Sequence, residues 1–299
     1  MGYPVLEPLQ AFAICIPCGA DVHARRPSKS NTSAVRSGGT RVSFVESFVQ
    51  IDGCKTRLLR GGQGAPLLYL HGANGVTGIQ PFMLKLAERF DVWIPEHPGF
   101  GQSDEPDWLE NIHDLAYYYL NFMRHHQLSG AHVLGSSIGG WLALEIAVRD
   151  TSRIKTLSLI GPSGIRTPGV VPGDVFLWSP EQRIRNTFHD QTLADRMLAS
   201  PPSPEQQEVL LKNRFTFARL AWEPRLHDPK LHKWISRIDV PTQIIWGEQD
   251  KILPVGAAQA FREAMPQASI AVVPDCGHLP QSERPDQFCD VLFKFLSGK

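Results

Sequence analysis

The 299-residue sequence has no apolar run of about 18 residues, the length that crosses a bilayer, so no membrane span is expected. It has no charge excess either. Thirty Lys and Arg balance thirty Asp and Glu, which leaves no electrostatic footprint for a nucleic acid. The first Lys or Arg is Arg25, so the fairly apolar stretch 5–18 lacks the basic n-region of a secretory signal. Cysteine is scarce: Cys15, Cys18, Cys54, Cys276 and Cys289 are odd in number and scattered, which excludes a disulfide scaffold. Free thiols suit a reducing compartment, and a cytoplasmic location is expected. Cys15-Ile16-Pro17-Cys18 is a lone C-x-x-C. It lacks two further ligands at zinc spacing and the strand-then-helix setting of a redox pair, so no metal site is expected. Internal repeats are also missing.

What is present divides into segments. Residues 23–41 are basic and Ser-rich, with Arg25, Arg26, Lys29, Arg36 and Arg41 and no acid. Residues 1–42 therefore read as a poorly structured leader, with little of the amphipathic pattern an organelle transit peptide shows. Residues 43–50 and 55–59 flank Asp52-Gly53 and predict an antiparallel hairpin. Short buried strands at 66–70, 92–95, 131–134 and 156–160 then alternate with helices at 80–89, 108–126 and 139–149. That alternation predicts an α/β fold with a mostly parallel central sheet covered on both faces.

The alternation stops at Gly161. Residues 161–239 read as helices with proline-rich joints, two of them opening on Ser179-Pro180-Glu181-Gln182 and Ser203-Pro204-Glu205-Gln206. Each pairs a capping Ser with a Pro in the first turn and a Gln that closes a capping box. Strands and helices resume at 242–246, 257–264, 269–273 and 285–295. A helical cap at 161–239 thus interrupts a core of 43–160 and 240–299. An insertion at the C-terminal edge of a parallel sheet lies over the place where such sheets bind ligands.

Chemistry concentrates at strand ends. Gly135-Ser136-Ser137-Ile138-Gly139 follows one strand and opens a helix, the context that G-x-S-x-G requires. The glycines centre the motif on Ser137, although Ser136 competes in the register. A serine nucleophile needs a base and the base an orienting acid. Among eleven histidines, His278 in Asp275-Cys276-Gly277-His278 lies just after the last strand. Asp250 lies after the strand 242–246, with Glu248 as its rival. Oxyanion donors are expected from the Ile138 N–H and from the loop His71-Gly72-Ala73-Asn74-Gly75, at Ala73 with Asn74 as the alternative.

These motifs, with Pro98-Gly99-Phe100-Gly101-Gln102-Ser103 and with Glu283 and Pro285 behind His278, resemble the α/β-hydrolase superfamily in its serine-nucleophile branch with a helical cap. The resemblance runs from about Gly62 to Ser297. It implies a Ser137–His278–Asp250 triad with an oxyanion hole at Ala73 and Ile138, and needs no metal or organic cofactor. Epoxide- and halide-processing relatives use an aspartate nucleophile, and epoxide openers use cap tyrosines. Here the nucleophile position is serine, and 161–239 contains no tyrosine. Carbon–carbon hydrolases of aromatic ring-fission products are nearer. They commonly carry a tryptophan where this chain has Leu279, and a cap arginine for a substrate carboxylate, a part Arg214 fits. Trp178, Phe217 and other cap aromatics suggest an apolar acyl pocket. The expectation is a carboxylesterase-like enzyme for a small apolar ester. The alternatives are cleavage of a ring-fission diketo acid and a non-catalytic receptor of the same fold.

Overall fold

The computed structural model describes residues 32–34 and 42–298. Cys15, Cys18 and most of the expected leader lie outside the described residues.

The hairpin forms as read. Strands β2 (Ser43–Ile51) and β3 (Cys54–Gly61) pair antiparallel, with Ile51 opposite Cys54 and Phe44 opposite Gly61. Asp52 at φ 51° and Gly53 at φ 75° make the two-residue turn, in the conformation that matches strand twist. A short strand β1 (Thr32–Ala34) pairs antiparallel with β2, inside the stretch expected to lack structure. The remaining strands are β4 (Ala65–Leu70), β5 (Phe90–Pro95), β6 (Ala131–Ser136), β7 (Ile154–Ile160), β8 (Thr242–Gly247) and β9 (Ser269–Val273). They form one sheet in the order β1-β2-β3-β5-β4-β6-β7-β8-β9, parallel from β5 onward.

Strand alternation assigns the two faces. Leu68 and Leu70 of β4 point into one apolar cluster, which the helices α2 (Ile112–His125) and α3 (Ile138–Arg149) cover. Leu67 and Tyr69 point into the other, covered by α1 (Pro81–Ala87) and a C-terminal helix, Pro285–Leu296. Helix α3 is buried nearly all round, as expected for the segment behind the central strands. Helix α2 starts at Ile112 rather than 108. The Asn111 side chain accepts the His113 and Asp114 N–H groups, and Asp114 returns bonds to 110 and 111, so the cap fixes the start.

Between β7 and β8 lie α4 (Pro180–Thr187), α5 (Gln191–Leu198), α6 (Pro204–Ala221) and α7 (Leu231–Trp234). Ser179 and Ser203 close the two expected capping boxes. After β8 come α8 (Ala258–Ala264), a short α9 (Pro280–Glu283) and α10, the C-terminal helix already described.

Candidate active site

The candidate residues all sit beyond the C-terminal ends of parallel strands: His71 after β4, Ser137 after β6, Asp250 after β8 and His278 after β9. A parallel sheet gathers these ends on one edge, where ligands bind.

Ser137 occupies the turn between β6 and α3 at φ 56° and ψ −117°. Such a conformation costs a side-chain residue about 1–3 kcal/mol and persists only where the surroundings impose it. They do so here. The Ser137 N–H donates to the Ile160 carbonyl at 2.8 Å, and its own carbonyl accepts from Gly140, Trp141 and Ser163. A Cβ at Gly135 would lie 2.3 Å from the Gly139 carbonyl oxygen, and one at Gly139 2.2 Å from that of Leu70. Only glycine fits either position, and the half-buried Ser137 is left at the head of α3.

His278 and Asp250 form a closed pair. His278 Nδ1 lies 2.7 Å from Asp250 Oδ2, and Asp250 Oδ1 accepts the Ile252 and Leu253 N–H groups at 2.8 and 2.9 Å. Glu248 is exposed and accepts a bond from Gln249 instead. Gly161 links the pair to the serine. It follows Ile160, the partner of the Ser137 N–H, and a Cβ there would lie 3.3 Å from His278 Nδ1 and 3.4 Å from Asp250 Oδ2. Among the described residues, no hydrogen bond joins the Ser137 hydroxyl to the ring.

The loop after β4 completes the edge. A Cβ on Gly72 would lie 3.5 Å from Ser137 Cβ. Neither the Ala73 N–H nor the Ile138 N–H donates to an acceptor among the described residues. Burial pushes the pKa of the His71 imidazole, at the root of this loop, down to about 4.

The sequence matches the alpha/beta hydrolase family over residues 67–291. The chain belongs to that family. It is 28% identical over 283 residues to the dihydrolipoyllysine-residue acetyltransferase component of the acetoin cleaving system of Cupriavidus necator, covering 89% of this chain and 73% of that protein. It is 25% identical over 279 residues to the 2-hydroxy-6-oxo-6-(2'-aminophenyl)hexa-2,4-dienoic acid hydrolase of Metapseudomonas resinovorans, covering 86% and 92%. Among solved structures it resembles the 2-hydroxy-6-oxo-6-phenylhexa-2,4-dienoate hydrolase of Rhodococcus sp. strain RHA1. That match has a TM-score of 0.70 at 22% identity, over 86% and 99% of the two chains, and supports the fold alone. Lipase 1 of Psychrobacter immobilis and a thermophilic esterase are also similar.

In this alpha/beta hydrolase the helical insertion is bolted to the loops of the candidate site. The His278 N–H donates to the Thr187 carbonyl of α4 at 2.8 Å. Glu283 Oε2 accepts the Gly277 N–H at 2.7 Å, while Oε1 accepts that of Asp190 at 2.6 Å. From α6, Asn213 accepts the Gly101 N–H at 2.7 Å and donates to the Asn74 carbonyl at 2.9 Å. Asn74 thus meets the insertion through its backbone, and its side chain is exposed. Glu283 and Asn213 carry these ties, and no short-range pattern in the sequence marks Asn213. Glu283 was visible only as part of the family motif.

The expected substrate contacts separate. Phe217 is buried and stacks on Phe176 at 4.8 Å, within the main apolar cluster. Trp178 packs over Gly173, and Leu279 is half-buried beside His278. Phe215, Leu177 and Trp222 are exposed. Arg214 donates to the Phe176 carbonyl at 2.9 Å. One trio of potential metal ligands exists among the described residues, His113, Glu145 and Asp228, and the Arg149 guanidinium already fills it, 2.6 Å from Glu145 and 3.0 Å from His113. A groove of about 600 Å³ beside Glu105, Glu110 and Arg219 includes none of Ser137, Asp250 and His278 in its lining. No helix among the described residues is long and apolar enough to cross a membrane.

Proposed function

We propose that this chain is a serine hydrolase that cleaves small carboxylic esters through an acyl-enzyme. The observation that carries the reading is the buried His278–Asp250 pair, 2.7 Å apart, at the same sheet edge as a serine held in a strained turn. A carboxylate only accepts hydrogen bonds, so His278 Nδ1 carries the proton and Nε2 is left as the base. Ser137 attacks the ester carbonyl while Nε2 takes its proton. Asp250 holds the tautomer and stabilises the imidazolium. The Ala73 and Ile138 N–H groups receive the developing oxyanion. His278 then returns its proton to the leaving alcohol, and a water activated by the same nitrogen releases the acid.

A fluorophosphonate probe tests the assignment. Ser137 should be labelled, and Ser137→Ala should lower kcat by about 10³–10⁶. Labelling that survives the substitution would overturn the reading. A non-catalytic receptor of this fold would give no covalent adduct at all.

A second reading, hydrolysis of a carbon–carbon bond in a ring-fission diketo acid, draws on one observation in the insertion. Arg183 is half-buried on α4 and has no carboxylate partner among the described residues. Burial, and then the neighbouring Arg214 charge, push its guanidinium below the usual value. A half-buried guanidinium that feels a second positive charge suits an anionic substrate. The relative from Metapseudomonas resinovorans, by its name, acts on such an acid. Leu279, where tryptophan is usual in those enzymes, weighs the other way.

A further inference from the structure

Two stacked histidines lie behind the loop that follows β4. The His71 and His97 rings are 3.6 Å apart at 26°, and both are buried. Their hydrogen bonds leave no choice of tautomer. The His97 backbone N–H, which can only donate, points at His71 Nε2 at 2.9 Å. His71 Nε2 is therefore an acceptor, and the ring proton sits on Nδ1, which donates to the Gly72 carbonyl at 2.8 Å. His97 Nε2 lies 3.0 Å from the His71 carbonyl, which can only accept, so that nitrogen carries the proton. His97 Nδ1 is then the acceptor for the Tyr119 hydroxyl, from the buried face of α2.

The chain of donors runs from Tyr119 through His97 and His71 and ends on the Gly72 carbonyl, which also accepts the Gly75 N–H at 3.1 Å. That carbonyl shares its peptide plane with the Ala73 N–H. In a trans peptide the two groups point in opposite directions. Two bonds that hold the carbonyl toward the His71 ring therefore aim the N–H away from it. A flipped peptide would break both bonds and turn an oxygen toward the developing negative charge.

We propose that Tyr119 and His97 are positioning residues that, through His71, hold the Gly72–Ala73 peptide with its N–H toward the substrate oxyanion. The proposal rests on the reading of Ala73 as an oxyanion donor. Neither residue touches substrate. Both act on transition-state stabilisation and leave ground-state binding alone.

The test uses the full chain with p-nitrophenyl butyrate as substrate and a fluorophosphonate as trap. His97→Leu removes the donor to the His71 carbonyl and should lower kcat at least tenfold, toward the 10²–10³ lost with an oxyanion donor, while KM changes less than twofold. Phosphonylation of Ser137 should slow in parallel. His97→Gln, whose amide nitrogen reaches the place of Nε2, should recover most of the loss. Tyr119→Phe removes one oxygen from a packed ring and should give the same split in smaller measure, which keeps the test alive if His97→Leu does not fold. His132→Gln, at the opposite end of β6 and bonded to Thr156, is the control for losing a buried histidine, with wild-type kcat expected. Wild-type kcat and labelling in folded His97→Leu and Tyr119→Phe would overturn this inference alone. A wild-type chain that the probe never labels would overturn the serine-hydrolase reading, and this inference with it.

Discussion

The Nδ1 atom of His278 lies 2.7 Å from Oδ2 of Asp250, with side-chain exposures of 5% and 0%. The opposite carboxylate oxygen accepts two backbone N–H groups, from Ile252 and Leu253. This decides what an amide would do at the same place. In Asp250→Asn the amide oxygen must stay on the Ile252 and Leu253 side, which puts the NH2 group against His278 Nδ1. The ring proton then moves to Nε2, the atom that has to accept from Ser137. We expect a folded protein with kcat lowered by about 10⁴. Glu248→Gln, on an exposed carboxylate, should leave kcat at the wild-type value. Steady-state rates on one ester decide between the two acids, and the reverse pattern would unseat Asp250.

Glu283 offers a prediction on the loop that carries the histidine. It is buried, and its two oxygens accept the Gly277 and Asp190 N–H groups, one in the His278 loop and one in the insertion. Glu283→Gln replaces one acceptor by a donor and sets N–H against N–H. The unmet groups should cost about 2 kcal/mol. For a chain of 299 residues, at about 2.1 cal/mol/K of unfolding entropy per residue, that is about 3 °C of melting temperature. Activity should fall as well, because Gly277 precedes the ring. A melting curve unchanged within 1–2 °C would show that Glu283 does not staple the two segments.

The parts of this molecule that were legible in the sequence are those encoded over a few residues. The Gly135–Gly139 spacing marks the turn at Ser137, the Asp52-Gly53 pair marks the hairpin, and the repeated Ser-Pro-Glu-Gln marks two helix starts. Strand-end positions singled out Asp250 and His278 in the same way. What stayed hidden is encoded across the fold. Asn213 meets Gly101 and Asn74 from 112 and 139 residues away, and His97 meets His71 from 26. A polar residue within a helical pattern gives no hint of which loop its side chain will reach. Strand β1 escaped for another reason: three residues, Thr32–Ala34, are too few for alternation to register. Aromatic content gave no guide to placement within the insertion, where Phe176 and Phe217 stack in the core and Phe215 faces solvent.

Acid should destabilise this fold through its buried histidines. Burial pushes His71 and His132 down from 6.5 to about 4, and lowers His97 as well, the neighbouring His71 adding to it. Each ring is neutral in the folded chain, while in the unfolded chain it takes up a proton near pH 6.5. Above that value the stability is fully present. It declines as pH falls from about 6.5 toward about 4, where the folded chain begins to bind the same protons. For His71 alone the difference amounts to about 3 kcal/mol at the lower end. Urea melts between pH 7.5 and 4.5 measure it. His132→Gln should flatten the slope. Stability independent of pH across this window would mean that these rings are hydrated and free to titrate.

The choice between an ester and a diketo acid turns on what the insertion presents to the acyl group. An enclosed apolar pocket gains about 0.8 kcal/mol per buried methylene, so each added acyl carbon should raise kcat/KM up to about fourfold until the space is filled. Beyond that length the rate should fall, because α4 and α6 are tied to the His278 and Asn74 loops and cannot open like a free lid. On this reading the dependence on chain length persists in Arg214→Ala, whose guanidinium is engaged with the Phe176 carbonyl in the resting chain. Cleavage of a ring-fission acid makes the opposite demand. Its carboxylate needs a cation, and the unneutralised Arg183 next to Arg214 would supply it. A series of p-nitrophenyl esters and one ring-fission diketo acid, measured on wild type, Arg183→Ala and Arg214→Ala, separates the two. Flat ester rates together with diketo-acid turnover that collapses in either arginine variant would replace the ester reading. A rising and then falling ester series, with slow turnover of the acid in all three chains, would retain it.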